Sequence, residues 1–224
     1  MTCWEHPIKA IIFDNDGTFL DTIGSYIQAS NIILGKPMSQ EFYNSINGMD
    51  AKTVSKKIIE EYKLDLTPEE FLSKRDGIVN QLLLNCKPFP GVVELARKFK
   101  KNGYKIGLAT SADSEKTNIK FKNQPDILNV FDVILTSNDV KKAKPDPEIF
   151  LKCAEKLGNF DPMNVLVFED AMNGIKAANK AGMASAFFAN SQNVDNQFFE
   201  KYGCKPSYVF MTYNDFDMSK FIWS

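Results

Sequence analysis

Short apolar runs, each ending in polar residues and each followed by a helical pattern, recur along the chain: Lys9–Phe13, Tyr104–Ala109, Val130–Leu135, Val165–Phe168 and Ala184–Phe188. Runs this short and continuous read as buried parallel strands. The helices between them have legible ends. One over Val92–Lys101 stops at Gly103, one entered through Asp146 and Pro147 runs to Gly158, and a third spans about Asn173 to Gly182. Strands alternating with helices predict an α/β fold, a doubly wound Rossmann-like parallel sheet that binds ligands at the carboxyl ends of its strands.

From Phe19 to Cys86 the alternation stops, and helical patterns follow one another without a convincing strand. The expected organisation is a catalytic core of residues 1–18 and 87–224 with an α-helical cap inserted at 19–86. Within the cap, Thr67-Pro68-Glu69-Glu70 has the spacing of a capping box with proline at the first helical position. The tail, Pro206–Ser224, is expected to add a strand at Tyr208–Met211 and a short helix.

Composition narrows the function. The 224 residues are 44% hydrophobic and 25% charged with a net charge of −1, and Arg75 and Arg97 are the only arginines. Nucleic-acid binding needs clustered basic residues, so it is not expected. Neither a signal-peptide stretch in Met1–Ala10 nor a membrane-spanning run is evident, so a cytoplasmic protein that binds no membrane is expected, and with no exposed apolar stripe in view, a monomer. Cys3, Cys86, Cys153 and Cys204 lie too far apart for a zinc or redox motif, and His6 is the only histidine. Carboxylates must carry the chemistry.

They cluster at strand ends. Ala10-Ile11-Ile12 leads into Phe13-Asp14-Asn15-Asp16-Gly17-Thr18. In extended chain, residues two apart project to one side, so Asp14 and Asp16 face one pocket, with Gly17 permitting the turn. Such a loop alone also fits a turn or a calcium-like site. Leu108-Ala109-Thr110-Ser111 ends a second strand in hydroxyls suited to phosphoryl oxygens, or to capping a helix. Lys144, in Lys141-Lys142-Ala143-Lys144-Pro145-Asp146-Pro147, lies either in a solvated basic loop or, with its backbone fixed by prolines, where an ammonium can hold a phosphate beside the aspartate. Val165–Phe168 ends in Glu169-Asp170, an adjacent acid pair that is costly without a cation, although Asp170 also suits a helix cap. Because a carboxylate attacking a phosphate ester is opposed by like charge, the set suits Mg2+. Asp14 then fits a nucleophile and Asp16 a general acid and base.

These four segments, in this order, resemble the haloacid dehalogenase superfamily over essentially the whole chain. The resemblance implies Asp14 as nucleophile, Asp16 as general acid/base, and Thr110, Ser111 and Lys144 as phosphate-side residues. It places Asp14, Asp16 (through its backbone carbonyl), Glu169 and Asp170 around Mg2+, with Asp170 the direct ligand. The inserted helices match the helical-cap, β-phosphoglucomutase-like subgroup. Lys144–Phe150 and Val167–Gly174 are most similar to pseudouridine-5′-phosphatase-like proteins. The implied activity is hydrolysis of a small phosphorylated metabolite, a sugar phosphate or nucleoside monophosphate such as pseudouridine-5′-phosphate, with the cap closing over the site. The alternatives are a β-phosphoglucomutase-like phosphotransferase and a non-catalytic binding module. The subgroup's mutases carry a cap histidine where this chain has Tyr26 and a cap arginine near Asn47–Asp50, and both are missing. A dehalogenase needs neither Asp16 nor the Glu169-Asp170 pair, and a receiver domain has its acid pair first.

Overall fold

The structure is a computed structural model that describes residues 2–46, 51–190 and 194–224. It divides into two compact units, Met1–Asp21 with Lys87–Ser224, and Thr22–Cys86. In chain order the elements are β1 (Pro7–Ile8), β2 (Ala10–Phe13), α1 (Ile23–Leu34), α2 (Gln40–Ile46), α3 (Ala51–Tyr62), α4 (Pro68–Leu83), α5 (Val92–Lys101), β3 (Lys105–Ala109), α6 (Ser114–Phe121), β4 (Val133–Leu135), α7 (Glu148–Gly158), β5 (Val165–Glu169), α8 (Met172–Ala181), β6 (Ala184–Phe188), α9 (Asn196–Lys201), β7 (Tyr208–Phe210) and β8 (Ile222–Trp223).

The larger unit is built on a six-stranded parallel sheet of order β4-β3-β2-β5-β6-β7, and β1 pairs with β8 separately. β2 lies at its centre, with Phe13 in register with Leu108 of β3 and Phe168 of β5. Alternation along β2 divides the core between two faces. Ala10 and Ile12 pack with Phe150, Cys153 and Ala154 of α7 and Ala177 and Ala178 of α8. Phe13 points the other way and stacks on Phe168 at 4.6 Å, in an aromatic layer that includes Phe99, Phe210 and Phe216.

Three stretches differ from the sequence expectation. Phe19 lies edge-on to Phe13 at 5.5 Å and to Phe131 at 4.9 Å, and the Asp21 N–H donates to the Lys87 carbonyl at 2.8 Å. The chain therefore leaves the larger unit at Asp21 rather than after Thr18. The run expected at Val130–Leu135 starts its strand only at Val133, because Pro125–Val130 forms a 3-10 turn and Asp132 takes the Ile106 N–H with its side chain at 2.9 Å. In the tail, two 3-10 turns, Tyr213–Asp215 and Met218–Lys220, replace the expected helix. Thr212 and Asp217 each accept a nearby backbone N–H, and such local bonds compete with helix propagation.

The smaller unit holds α1–α4 and, among the described residues, no strand. α4 starts with the capping box, in which the Glu70 N–H donates to Thr67 Oγ1 and the Thr67 N–H to Glu70 Oε2. Ile46, Ile58 and Phe71 form its core, joined by Val54, Tyr62 and Leu66. Tyr26 carries the Arg75 guanidinium over its ring, 5.4 Å from the centroid. Asn47–Asp50 lies outside the described residues. Among those described, no helix is long and apolar enough to cross a membrane.

Candidate active site

β2 delivers the first two acids. The Asp14 N–H still bonds the Phe168 carbonyl at 2.9 Å, so Asp14 continues the strand, and the chain then folds back. The Asn15 carbonyl accepts from the N–H groups of Phe19 and Leu20, and Gly17 takes the positive φ of 86° that closes the turn. Asp14, Asp16, Thr110, Ser111, Lys144 and Glu169 thereby line one cavity of about 230 Å3 with Ala171, Asn173 and Gly174.

Lys144 ties this set together. Its buried ammonium donates to Asp14 Oδ1 at 2.6 Å, Glu169 Oε1 at 2.9 Å and the Ala109 carbonyl at 3.1 Å, which uses its three protons. Burial disfavours its charge, but the Asp14 and Glu169 carboxylates outweigh that and hold the lysine protonated well above its ordinary range. The loop that presents it is knitted by Glu148, which accepts from the N–H groups of Lys141 and Lys142, while Asp146 accepts from the Glu148 N–H.

The other oxygen of Glu169 accepts from the Ala171 N–H at 2.7 Å, and Asp170 Oδ1 accepts from Thr18 Oγ1 at 2.7 Å. The Thr18 carbonyl in turn accepts from the buried Tyr213 hydroxyl at 2.8 Å. Gly174 leaves room for this arrangement, since a Cβ there would overlap the Glu169 carboxylate.

Asp14, Glu169 and Asp170 each offer a carboxylate oxygen, and the three lie within 4.8 Å of one another. Burial, the largest influence, pushes Asp14 up to about 7 against the pull of Lys144. Burial, with the charges of Glu169 and Asp14, likewise raises Asp170 well above the usual carboxylate range. Hard oxygen donors carrying excess negative charge in a desolvated pocket fit a divalent cation such as Mg2+.

The Asp16 carboxylate is not in this group of three. It accepts from Thr110 Oγ1 at 3.2 Å and forms an ion pair with Lys120 of α6, whose Nζ lies 2.6 Å from Oδ2. Neither Lys120 nor Tyr213 is singled out by the sequence reading. A lysine on a polar helix and a tyrosine in the tail carry no local signal for these contacts.

Residues 11–188 match the haloacid dehalogenase-like hydrolase family. A Drosophila melanogaster protein named "probable pseudouridine-5′-phosphatase" is 32% identical over 179 residues, 77% of this chain and 78% of that protein. The phosphorylated carbohydrates phosphatase of Thermotoga maritima is 32% identical over 183 residues, 79% of this chain and 82% of its own. Among solved structures, the β-phosphoglucomutase of Clostridium difficile superposes with a TM-score of 0.67 at 28% identity, covering 95% of this chain and 94% of that one.

Proposed function

Since the chain belongs to the haloacid dehalogenase-like hydrolase family, we propose that it is a Mg2+-dependent phosphomonoesterase working through an aspartyl-phosphate on Asp14. One observation carries this reading: Asp14 stands at the end of the central strand with Lys144 on one carboxylate oxygen, and lines the same cavity as Asp16. An Asp14 oxygen attacks phosphorus while the ester P–O bond breaks, and Asp16 gives its proton to the leaving oxygen. Water then attacks phosphorus, the Asp14 O–P bond breaks, and Asp16 takes the water proton.

Lys144 lowers the cost of bringing the phosphoryl group to a carboxylate, and Thr110 and Ser111, which line the same cavity, would offer hydroxyls to its oxygens. Asp14 and Asp170 would hold Mg2+, with the Asp16 backbone carbonyl. Glu169 is committed to Lys144 and the Ala171 N–H, so it acts by fixing Lys144. The bound ion supplies charge neutralisation between the nucleophile and the phosphoryl oxygens.

The substrate class is a small phosphorylated metabolite, a sugar phosphate or a nucleoside monophosphate such as pseudouridine-5′-phosphate, in keeping with the names of the relatives. The structural likeness to a β-phosphoglucomutase supports phosphoryl transfer between sugar hydroxyls as a second reading. Incubating the protein with a panel of phosphomonoesters, with Mg2+ and with chelator, separates the two. Chelator-sensitive release of inorganic phosphate is expected, and an isomerised sugar phosphate without net phosphate release would favour the second. Asp14→Asn is expected to lower kcat by at least about 10⁴-fold with the fold retained. Retained activity would refute the mechanism.

A further inference from the structure

α6 follows directly from the Thr110 loop and is capped by Asp113, whose side chain accepts from the Lys116 N–H at 2.7 Å. Helical spacing puts Thr117, Lys120 and Phe121 on one face, and that face is the buried one. The pattern inverts hydropathy, since Ile119 is only half-buried whereas the Lys120 side chain is 0% exposed. Lysine is almost never buried to this extent unless it is paired, because desolvating an ammonium is costly. Lys120 pairs with Asp16, approaching both carboxylate oxygens at 2.5 and 2.6 Å.

The two ends of this pair differ. Asp16 lines the cavity beside Asp14, and Lys120 does not. With its side chain buried and its ammonium on Asp16, Lys120 reaches the cavity through that carboxylate. Thr110, on the same arm of the chain, holds the same carboxylate. Four acids gather here, and Asp16 is the one whose carboxylate stands outside the group formed by Asp14, Glu169 and Asp170.

We propose that Lys120 is a positioning residue. It anchors the Asp16 carboxylate facing the leaving group and keeps it from joining the cation-binding acids. This rests on the proton-transfer role given to Asp16 above. Loss of the anchor then has a specific consequence. An alkyl ester needs the Asp16 proton to release its alkoxide, whereas an aryl oxide leaves without it. Hydrolysis of the aspartyl-phosphate needs Asp16 to take a proton from water whatever the ester was.

The test compares full-length wild type, Lys120→Met, Lys120→Gln and Asp16→Asn on an alkyl phosphate and on 4-nitrophenyl phosphate in Mg2+. Lys120→Met is expected to lose about 100-fold in kcat on the alkyl ester, as for a displaced general acid, with KM changed less than about threefold. On the aryl ester it should release a burst of about one nitrophenolate per enzyme before slow turnover, a signature that general loss of structure does not produce. Lys120→Gln, which keeps a donor on that helix face, should fall between Met and wild type. An alkyl-ester kcat within about twofold of wild type, or equal loss on both esters without a burst, would overturn the proposal. If Lys120→Met does not fold, the same two outcomes decide it on Lys120→Gln. Asp16→Asn tells the two assignments apart. Alkyl-ester turnover retained in that variant removes the role of Asp16 itself, whereas its loss beside a normal Lys120→Met removes only that of Lys120.

Discussion

Asp170 is held in a place that suits a cation better than it suits a carboxylate. Burial and the neighbouring acids raise its pKa, so the fold favours the neutral form. The stabilising contribution of that neutral form is complete below the ordinary value of 3.8 and is lost as pH rises. At neutral pH without a cation, Asp170 therefore weakens the fold. Asparagine is neutral at every pH and keeps an acceptor for Thr18 Oγ1. Asp170→Asn is expected to raise the Tm at pH 7 in chelator, to match wild type near pH 3, and to abolish the Tm gain on adding Mg2+. Turnover should fall by about 100-fold or more. Thermal melts with and without Mg2+ at the two pH values check the sign.

Elements position these residues, and two of them can be probed apart from the chemistry. The Lys144 loop is pinned to the start of α7 by Glu148, which accepts from the N–H groups of Lys141 and Lys142 and pairs with Lys152 at 2.7 Å. The Lys152 hydrogen bond first, then those backbone donors, lower Glu148 from 4.5 to about 2. A depressed carboxylate contributes stability above pH 4.5 that is lost as pH falls towards 2. Glu148→Gln should therefore flatten the acid limb of the stability curve in that window, and lower kcat at neutral pH by loosening Lys144. Acid-unfolding curves of the two proteins measure the first effect. At the start of α8, Gly174→Ala sets two effects against each other. Alanine gains up to about 1 kcal/mol in helix propensity. Its methyl group must displace a Glu169 carboxylate already fixed by Lys144 and the Ala171 N–H. Overpacking of this kind costs about 1–3 kcal/mol. The overlap wins, and a net loss of about 1 kcal/mol in chemical denaturation, with reduced kcat, is expected.

Across the whole molecule, thiols report the integrity of the fold. Cys3 is exposed, whereas Cys86, Cys153 and Cys204 are buried. Burial pushes the Cys153 thiol up to about 12 from 9.0, so its stabilising contribution is complete below pH 9.0 and is lost as pH climbs towards 12. A disulfide reagent at pH 8 should modify Cys3 quickly and the other three only on unfolding. Fast modification of a second thiol in the native protein would contradict the burial.

Much of this architecture was legible in the chain. The five strand runs and the α5, α7 and α8 ends were visible because periodicity, glycine stops and proline starts are local properties. The carboxylates at strand ends were visible too, as acids directly after apolar runs, although Asp16 reaches the cavity through the turn that follows Asp14 and not by strand alternation. Contacts between distant segments were not written in any one stretch. Lys120 meets Asp16 only because α6 turns its Thr117–Phe121 face inward, and Tyr213 reaches the Thr18 carbonyl only because the tail returns to the sheet. The sequence by itself determined the parallel α/β alternation and the set of acids and hydroxyls available for chemistry. The tertiary structure decided that Lys120 serves Asp16, because in a desolvated pocket an ion pair is set by distance and burial, neither of which a one-dimensional pattern contains.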